Sequence, residues 1–420
     1  MFNKVTSMHL AGALAFGAAV AASPAGAQTL HMWGPEKIAD PAVAEMWEKI
    51  ADGFEATHPG VTIEYIAPTG TISNGAVQAA IQSDAGPDVV LTNSGIGRMT
   101  TVVNSKLVQP LTADYEAGWK DQVYPWLYEQ LKQPFDGEIY EVPDGLDALA
   151  IWYHKDMFAE HGWEFPDSYD GFLELLQKIQ DAGVQPIVAA PNNTGSAGHI
   201  FGNVLQVTAG SDVMGDVVSG EIPWTDDRVV AGLQAFADLV DKGYIQPEMA
   251  ALNFDAGTRL FLSKRAAIFV GGPWFIGIAA GADYPVENLG YVSMPSNLEG
   301  ESIPTGGIGW SYMIPTTSKQ PDLAREWISY LLSDEVMKMR AEDPTSSAIY
   351  PRELKGVEPA TPVMKDIFDA AAKGVGYNPS VYVPGSTIDT YYQVIQGLIG
   401  GQVSVEDGAA QIEAQMQQAK

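Results

Sequence analysis

The chain has no cysteine among its 420 residues. That excludes disulfides, thiolate catalysis, thiolate metal sites and a lipid anchor on an N-terminal cysteine. Basic residues are scarce: 23 Lys and Arg stand against 52 Asp and Glu, a formal net charge of −29. Such a field repels nucleic acid and anionic lipid, and its plainest use is solubility. Only six histidines occur. They are scattered, with none of the paired spacing of a zinc site, so neither a metal nor a cofactor is expected. Nucleophile elbow and phosphate loop are missing too. Gly95-Ile96-Gly97 lacks the third glycine of a dinucleotide fingerprint. Past the N-terminus, no apolar run reaches the roughly 20 residues that span a bilayer.

What is present begins with a targeting pattern. A short segment carrying Lys4 precedes an unbroken apolar and small-residue run, Leu10 to Ala22. Ser23-Pro24-Ala25-Gly26-Ala27 follows and ends in a small-x-small site. This order predicts a secretory signal peptide over 1–27, cleaved between Ala27 and Gln28, and hence a periplasmic protein without a lipid anchor. The remainder is 46% hydrophobic and 10% aromatic by the whole-chain composition, a globular balance. It is too long for one ordinary core and long enough for two.

Strand and helix patterns then alternate. Thr29 to Trp33 reads as a buried strand. Val43, Met46, Trp47, Ile50 and Phe54 fall at helical spacing and predict a helix over 41–57, ended by His58-Pro59-Gly60. Strands are expected at 61–66 and 88–91, with a helix at 74–83 between them. The alternation indicates an α/β fold with a mainly parallel sheet, whose ligands lie beyond the carboxyl ends of strands. Trp33 to Lys37 and Thr92 to Gly95 are such loops. A second unit opens with an apolar strand at 148–153. It continues with a helix at 169–182, a strand at 186–190, helices near 228–242 and 255–263, and a strand at 266–271 that ends in Gly271-Gly272-Pro273-Trp274. The Gly-rich, aromatic stretch 305–315 reads as a crossing between units. Long helices are expected at 321–341 and 388–418.

Several ordered segments together resemble the extracellular solute-binding proteins of carbohydrate ABC importers, the family that includes maltose-binding protein. Phe54 to Tyr65 is similar to that family's first helix-to-strand junction, and Gly86-Pro87-Asp88-Val89-Val90 to its next strand entry. Trp152 to Phe158 resembles its Tyr-Tyr-Asn-Lys-Asp-x-Phe segment, with His154 in place of the usual Asn. Leu260 to Trp274 resembles the strand leading to a ligand-stacking Trp. Gly306-Gly307 is similar to its glycine pair at the domain crossing, and Ala324 to Glu335 to its return helix. The resemblance implies a type II periplasmic-binding-protein fold: two α/β lobes, each a mixed sheet flanked by helices, with a multi-crossing hinge. It places the N-terminal lobe at 28–146 plus 311–360 and the C-terminal lobe at 147–310 plus 361–420. The implied role is that of a monomer that carries a carbohydrate to an inner-membrane ABC permease.

Sugars present hydroxyls around weakly apolar ring faces, so a site pairs aromatic rings with carboxylates, amides and backbone donors. The resemblance makes Trp274 the stacking candidate. Gly272, Gly306 and Gly307 would let backbone approach a ligand. Asp147, just before the apolar strand, falls where the family has a sugar-binding acidic residue. Asp144, in a Pro-Asp-Gly stretch that reads as a turn, is its rival. Glu36 and Lys37 match the family's first binding loop. Asn93 and Ser94 follow the third strand, and His199 is expected in an Asn/Gly/Ser-rich loop. Trp310, Tyr350 and Arg352 complete the set, Arg352 as a partner for an acidic sugar. Two other readings remain open: a secreted polysaccharide-degrading enzyme, which needs two convergent carboxylates, and the same fold with a non-sugar solute such as a polyamine.

Overall fold

The computed structural model describes residues 28–34, 41–67, 75–83, 86–192, 195–342, 349–359 and 361–419. Residues 1–27, expected to be a signal peptide, and Glu36 and Lys37, expected to bind ligand, lie outside the described residues.

Among the described residues nine strands form one connected sheet: β1 (Gln28–Trp33), β2 (Val61–Ile66), β3 (Val89–Asn93), β4 (Val142–His154), β5 (Gln185–Val188), β6 (Ala266–Gly271), β7 (Leu289–Val292), β8 (Thr305–Met313) and β9 (Gly376–Tyr377). Their order is β2-β1-β3-β8-β4-β6-β5, with β7 on β4 and β9 on β8. β1 pairs with β2 and β3 in parallel, while β8 runs antiparallel to β3. Two groups of strands meet on β4. Its first half, Val142 to Leu149, pairs with β8. Its second half pairs with β6 on one side and β7 on the other. β4 is therefore the strand common to both groups, and β8 pairs along its first half.

The helix predicted at 41–57 is Pro41–Thr57. Its inward face carries Trp47, Ile50 and Phe54, all buried. Burial of each such side chain contributes on the order of 2 kcal/mol. Phe54 meets Trp327 edge-on at 5.0 Å, which joins this helix to the one at Pro321–Leu331. The Pro87-Asp88 entry to β3 is pinned by the buried Asp88 carboxylate. It accepts hydrogen bonds from the His31, Lys319 and Gln320 amides and from the Ser318 hydroxyl.

Three expectations change. The strand expected at 148–153 begins at Val142, so Pro143-Asp144-Gly145 is strand with a register shift and not a turn. The helix expected over 321–341 is two, because Ser333 leaves helical geometry and caps the Asp334–Ala341 helix by accepting from the Val336 amide. The stretch 388–418 likewise breaks into Gly385–Ile399 and Val405–Ala419 around Gly400-Gly401, where Gly401 adopts φ +66°.

His154 is a structural residue. It is fully buried at the end of β4 and stacks on Phe261 at 4.1 Å. Nε2 lies 2.9 Å from the Phe261 carbonyl, which can only accept, so Nε2 carries the proton. Nδ1 then accepts from the Tyr284 hydroxyl at 2.6 Å. Burial holds its pKa down at about 4. The unfolded chain takes up that proton near pH 6.5, so the stability this site contributes is complete above pH 6.5 and is lost as pH falls toward 4. At pH 5 the loss should be about 2 kcal/mol. Denaturant unfolding at pH 5 and 7.5 should show it, and His154→Asn should reduce the difference by about that amount, leaving the similar contribution of His199. Parallel profiles for the two proteins would contradict this assignment.

Candidate functional site

The carboxyl end of β3 and the crossing strands β4 and β8 bring one part of the site together. Asn93, the last residue of β3, is the register partner of Trp310 on β8. Asn93 accepts from the Thr92 hydroxyl at 3.3 Å, and its amide nitrogen has no partner among the described residues. Asp147 on β4 faces Gly307 in register, and its carboxylate lies over Gly309, where a Cβ would come 3.0 Å from the carboxyl carbon. That carboxylate makes no hydrogen bond or ion pair among the described residues. Burial pushes its pKa up, and the positive charge of Arg98 acts against that rise.

The other part is aromatic. Trp274 follows β6 and is half-buried. Its indole meets Phe254 at 5.5 Å, His199 at 6.2 Å and Phe269 at 6.3 Å. Its ring N–H has no partner among the described residues. His199 lies in the first turn of the Ser196–Ala209 helix and not in the expected loop. Its Nδ1 is buried without a hydrogen bond. Burial, with Arg98 nearby, lowers its pKa to about 4, so the ring is neutral at pH 7.

Arg98 went unnoticed in the sequence. It projects from the Ile96–Asn104 helix, and one guanidinium nitrogen donates to the Ser94 carbonyl at 2.9 Å. Its charge bears on Asp147, His199 and Tyr392, which come from three separate parts of the chain. Glu141, also unnoticed, is buried behind Ser94, and burial raises its pKa.

Several candidates have structural work instead. The Ser94 hydroxyl is engaged by Glu141, and the Ser94 amide donates to the Gly309 carbonyl at 2.9 Å. Ser94 thus positions Arg98 and leaves no free hydroxyl. A Cβ on Gly272 would lie 2.5 Å from the Trp274 indole nitrogen. This glycine makes room for the indole rather than for a ligand. A Cβ on Gly306 would lie 1.8 Å from the Asp147 carbonyl, and one on Gly307 2.6 Å from the Tyr382 hydroxyl. With φ of +158° and +142°, the pair serves the tight β4–β8 crossing.

Asp144 is removed from the ligand set by its partners: Arg340 binds both carboxylate oxygens, at 2.6 and 3.0 Å, and the Tyr312 hydroxyl donates to one of them. Tyr350 is 2% exposed, packed between Phe368 and the Arg340 guanidinium. Arg352 pairs with Asp334 at 2.7 Å and donates to the Leu332 carbonyl at 2.8 Å, so it is no free anion-binding group. Tyr350 and Arg352 line a separate crevice beside Phe368 and Lys365. The structure therefore gathers Asn93, Asp147, His199, Trp274 and Trp310 as candidates, adds Arg98, gives Ser94, Gly272, Gly306 and Gly307 supporting roles, and sets aside Asp144, Tyr350 and Arg352.

Two strand groups that meet on β4, with polar and aromatic side chains gathered where β8 pairs with it, give the chain the α/β framework of the site. The family described as bacterial extracellular solute-binding protein matches residues 40–338, and the chain belongs to it. A maltotriose-binding protein of Pyrococcus abyssi is 24% identical over 310 residues, covering 72% of this chain and 63% of its own length. An ABC transporter extracellular-binding protein of Pyrococcus horikoshii is 22% identical over 317 residues, covering 73% and 69%. Among solved structures, a chitin oligosaccharide binding protein superposes with TM-score 0.75 at 21% identity, covering 93% of this chain and 98% of its own. A family 1 extracellular solute-binding protein from Bifidobacterium longum subsp. infantis gives TM-score 0.73 at 19% identity, covering 94% and 100%. These structures establish the two-lobed fold. The family and these neighbours are binding proteins.

Proposed function

We propose that the protein captures a carbohydrate between two lobes and delivers it to an ABC import permease, by binding and without chemical turnover. The lobes would comprise 28–146 plus 311–360 and 147–310 plus 361–420. In this reading the chain is exported by its N-terminal segment 1–27 and works in the periplasm as a monomer, without a lipid anchor.

The observation that carries the proposal is Asp147. It is a carboxylate with no hydrogen-bond or ion-pair partner among the described residues, on the strand where the two strand groups meet, in a chain of this family. A burial-raised carboxylate left open in this way is a waiting hydrogen-bond acceptor for ligand hydroxyls. Trp274 and Trp310 are half-buried and supply apolar faces for sugar rings. Sugar-binding relatives support the same ligand class.

A thermal-shift screen of sugars, sugar acids, polyols and polyamines tests the ligand class. A ligand at 100 times its dissociation constant stabilises by about 2.7 kcal/mol. With the ligand so found, X-ray scattering should report a smaller radius of gyration, because contacts to both lobes favour the closed state. Release of new reducing ends from oligosaccharides would instead reveal an enzyme.

A further inference from the structure

We propose that the ligand is a sugar bearing an anionic substituent, a carboxylate or sulfonate, which Arg98 holds. The inference rests on the solute-capture reading above and narrows its substrate class.

It begins from the arginines. Arg325, Arg340 and Arg352 are each buried or half-buried, and each has a carboxylate: Asp114 at 3.0 Å, Asp144 at 2.6 Å and Asp334 at 2.7 Å. Arg98 is also half-buried, yet among the described residues its one hydrogen bond goes to a neutral carbonyl, that of Ser94. No carboxylate lies within ion-pair distance of it among the described residues. In a chain with 52 acidic residues, a half-buried guanidinium without one is unusual. Taking a cation out of water is costly unless an anion meets it. A ligand anion would meet it here, and the planar fork of unengaged N–H groups suits a carboxylate or sulfonate oxygen pair.

The surroundings set where that anion would go. Asp147 is near enough to interact electrostatically with Arg98, but it does not close on it. A ligand anion is repelled from Asp147 and attracted to Arg98, so one end of the sugar would be charged and the other would offer hydroxyls to Asp147. His199 is uncharged at neutral pH and leaves Arg98 as the cation of this cluster. Ser94 holds Arg98 in place through its own bonds to Glu141 and Gly309. The same cation disfavours a polyamine.

Calorimetric titration of the mature protein at pH 7 compares matched probes: glucuronate and galacturonate, free and as disaccharides, 6-sulfonated glucose, and their neutral parents. At least one anionic probe should bind about 100-fold tighter than its neutral parent, a difference typical of a partly desolvated charge pair. Whether the carboxylates or the sulfonate binds tighter identifies the anion. Arg98→Gln should bring the ratio of acid to parent close to one, and melting of the ligand-free variant shows whether it is folded. If Arg98→Gln does not fold, Arg98→Lys, which keeps the charge and loses the fork, should reduce the ratio instead. A neutral parent that binds wild type as tightly as its acid would overturn this inference and leave sugar capture standing. Binding of neither series would overturn both. An unchanged ratio in the folded variant would overturn the role of Arg98.

Discussion

Trp274→Ala should weaken ligand binding by roughly 30-fold to 1,000-fold, a loss of about 2–4 kcal/mol typical of a truncated aromatic anchor. The indole is packed against Phe254, Phe269 and the His199 ring, while its N–H has no partner among the described residues. Because it is only half-buried, the ligand-free variant should lose no more than about 1–2 kcal/mol of stability. A fully buried Trp would cost about 3–5 kcal/mol instead. Calorimetric titration paired with melting of the ligand-free variant separates the two roles. Normal affinity in a folded variant would end the stacking assignment. A collapsed melting temperature would make Trp274 a core residue and shift the platform to Trp310. Trp33 offers no such alternative: it is 5% exposed and packs among Val77, Ile81 and Val90.

The order of strands and helices was legible because it follows from local pattern. Trp47, Ile50 and Phe54 stand at helical spacing, and the face they mark is the face that is buried. The breaks inside long helices were less legible. Ser333 within an apolar-periodic stretch gives a weak signal until its hydroxyl is seen accepting from the Val336 amide. Where β4 begins was not legible either. Pro143-Asp144-Gly145 has turn composition, and only pairing with β8 keeps it extended.

The candidate site was legible in its strand-end residues and illegible in its charges. Asn93 follows from the rule that ligands gather beyond strand ends, whereas Asp147 and Trp274 were singled out by the family resemblance. Whether a charged residue is free or already paired depends on partners far away in sequence. Arg340 is 196 residues from Asp144, and Asp334 is brought to Arg352 by the fold. Arg98 shows the converse: nothing in Gly95-Ile96-Gly97-Arg98 reveals that its charge will bear on three distant segments while no carboxylate among the described residues pairs with it.

Arg340→Met should destabilise the protein by about 3–5 kcal/mol, because it strands the Asp144 carboxylate in the interior without a counter-charge. Arg340 is 8% exposed and Asp144 7%. The guanidinium also lies over the Trp47 ring, 5.4 Å from its centroid, and so ties the first helix to the pair. Burial alone would lower the Arg340 pKa, but Asp144 holds it well above the ordinary value, as expected for a matched buried pair. The Tyr312 hydroxyl completes the cluster, so one ion pair joins the Asp334–Ala341 helix to both crossing strands. Asp144→Asn removes the same charge from the other side and should cost a similar amount. The double variant Arg340→Met/Asp144→Asn should recover part of the loss, since it buries neither charge unpaired. Denaturant midpoints of the four proteins close the cycle. The same proteins decide what Asp144 does. A structural carboxylate predicts that folded Asp144→Asn keeps its affinity for the sugar within about threefold, a change under 1 kcal/mol. A loss of affinity at unchanged stability would return Asp144 to the binding site.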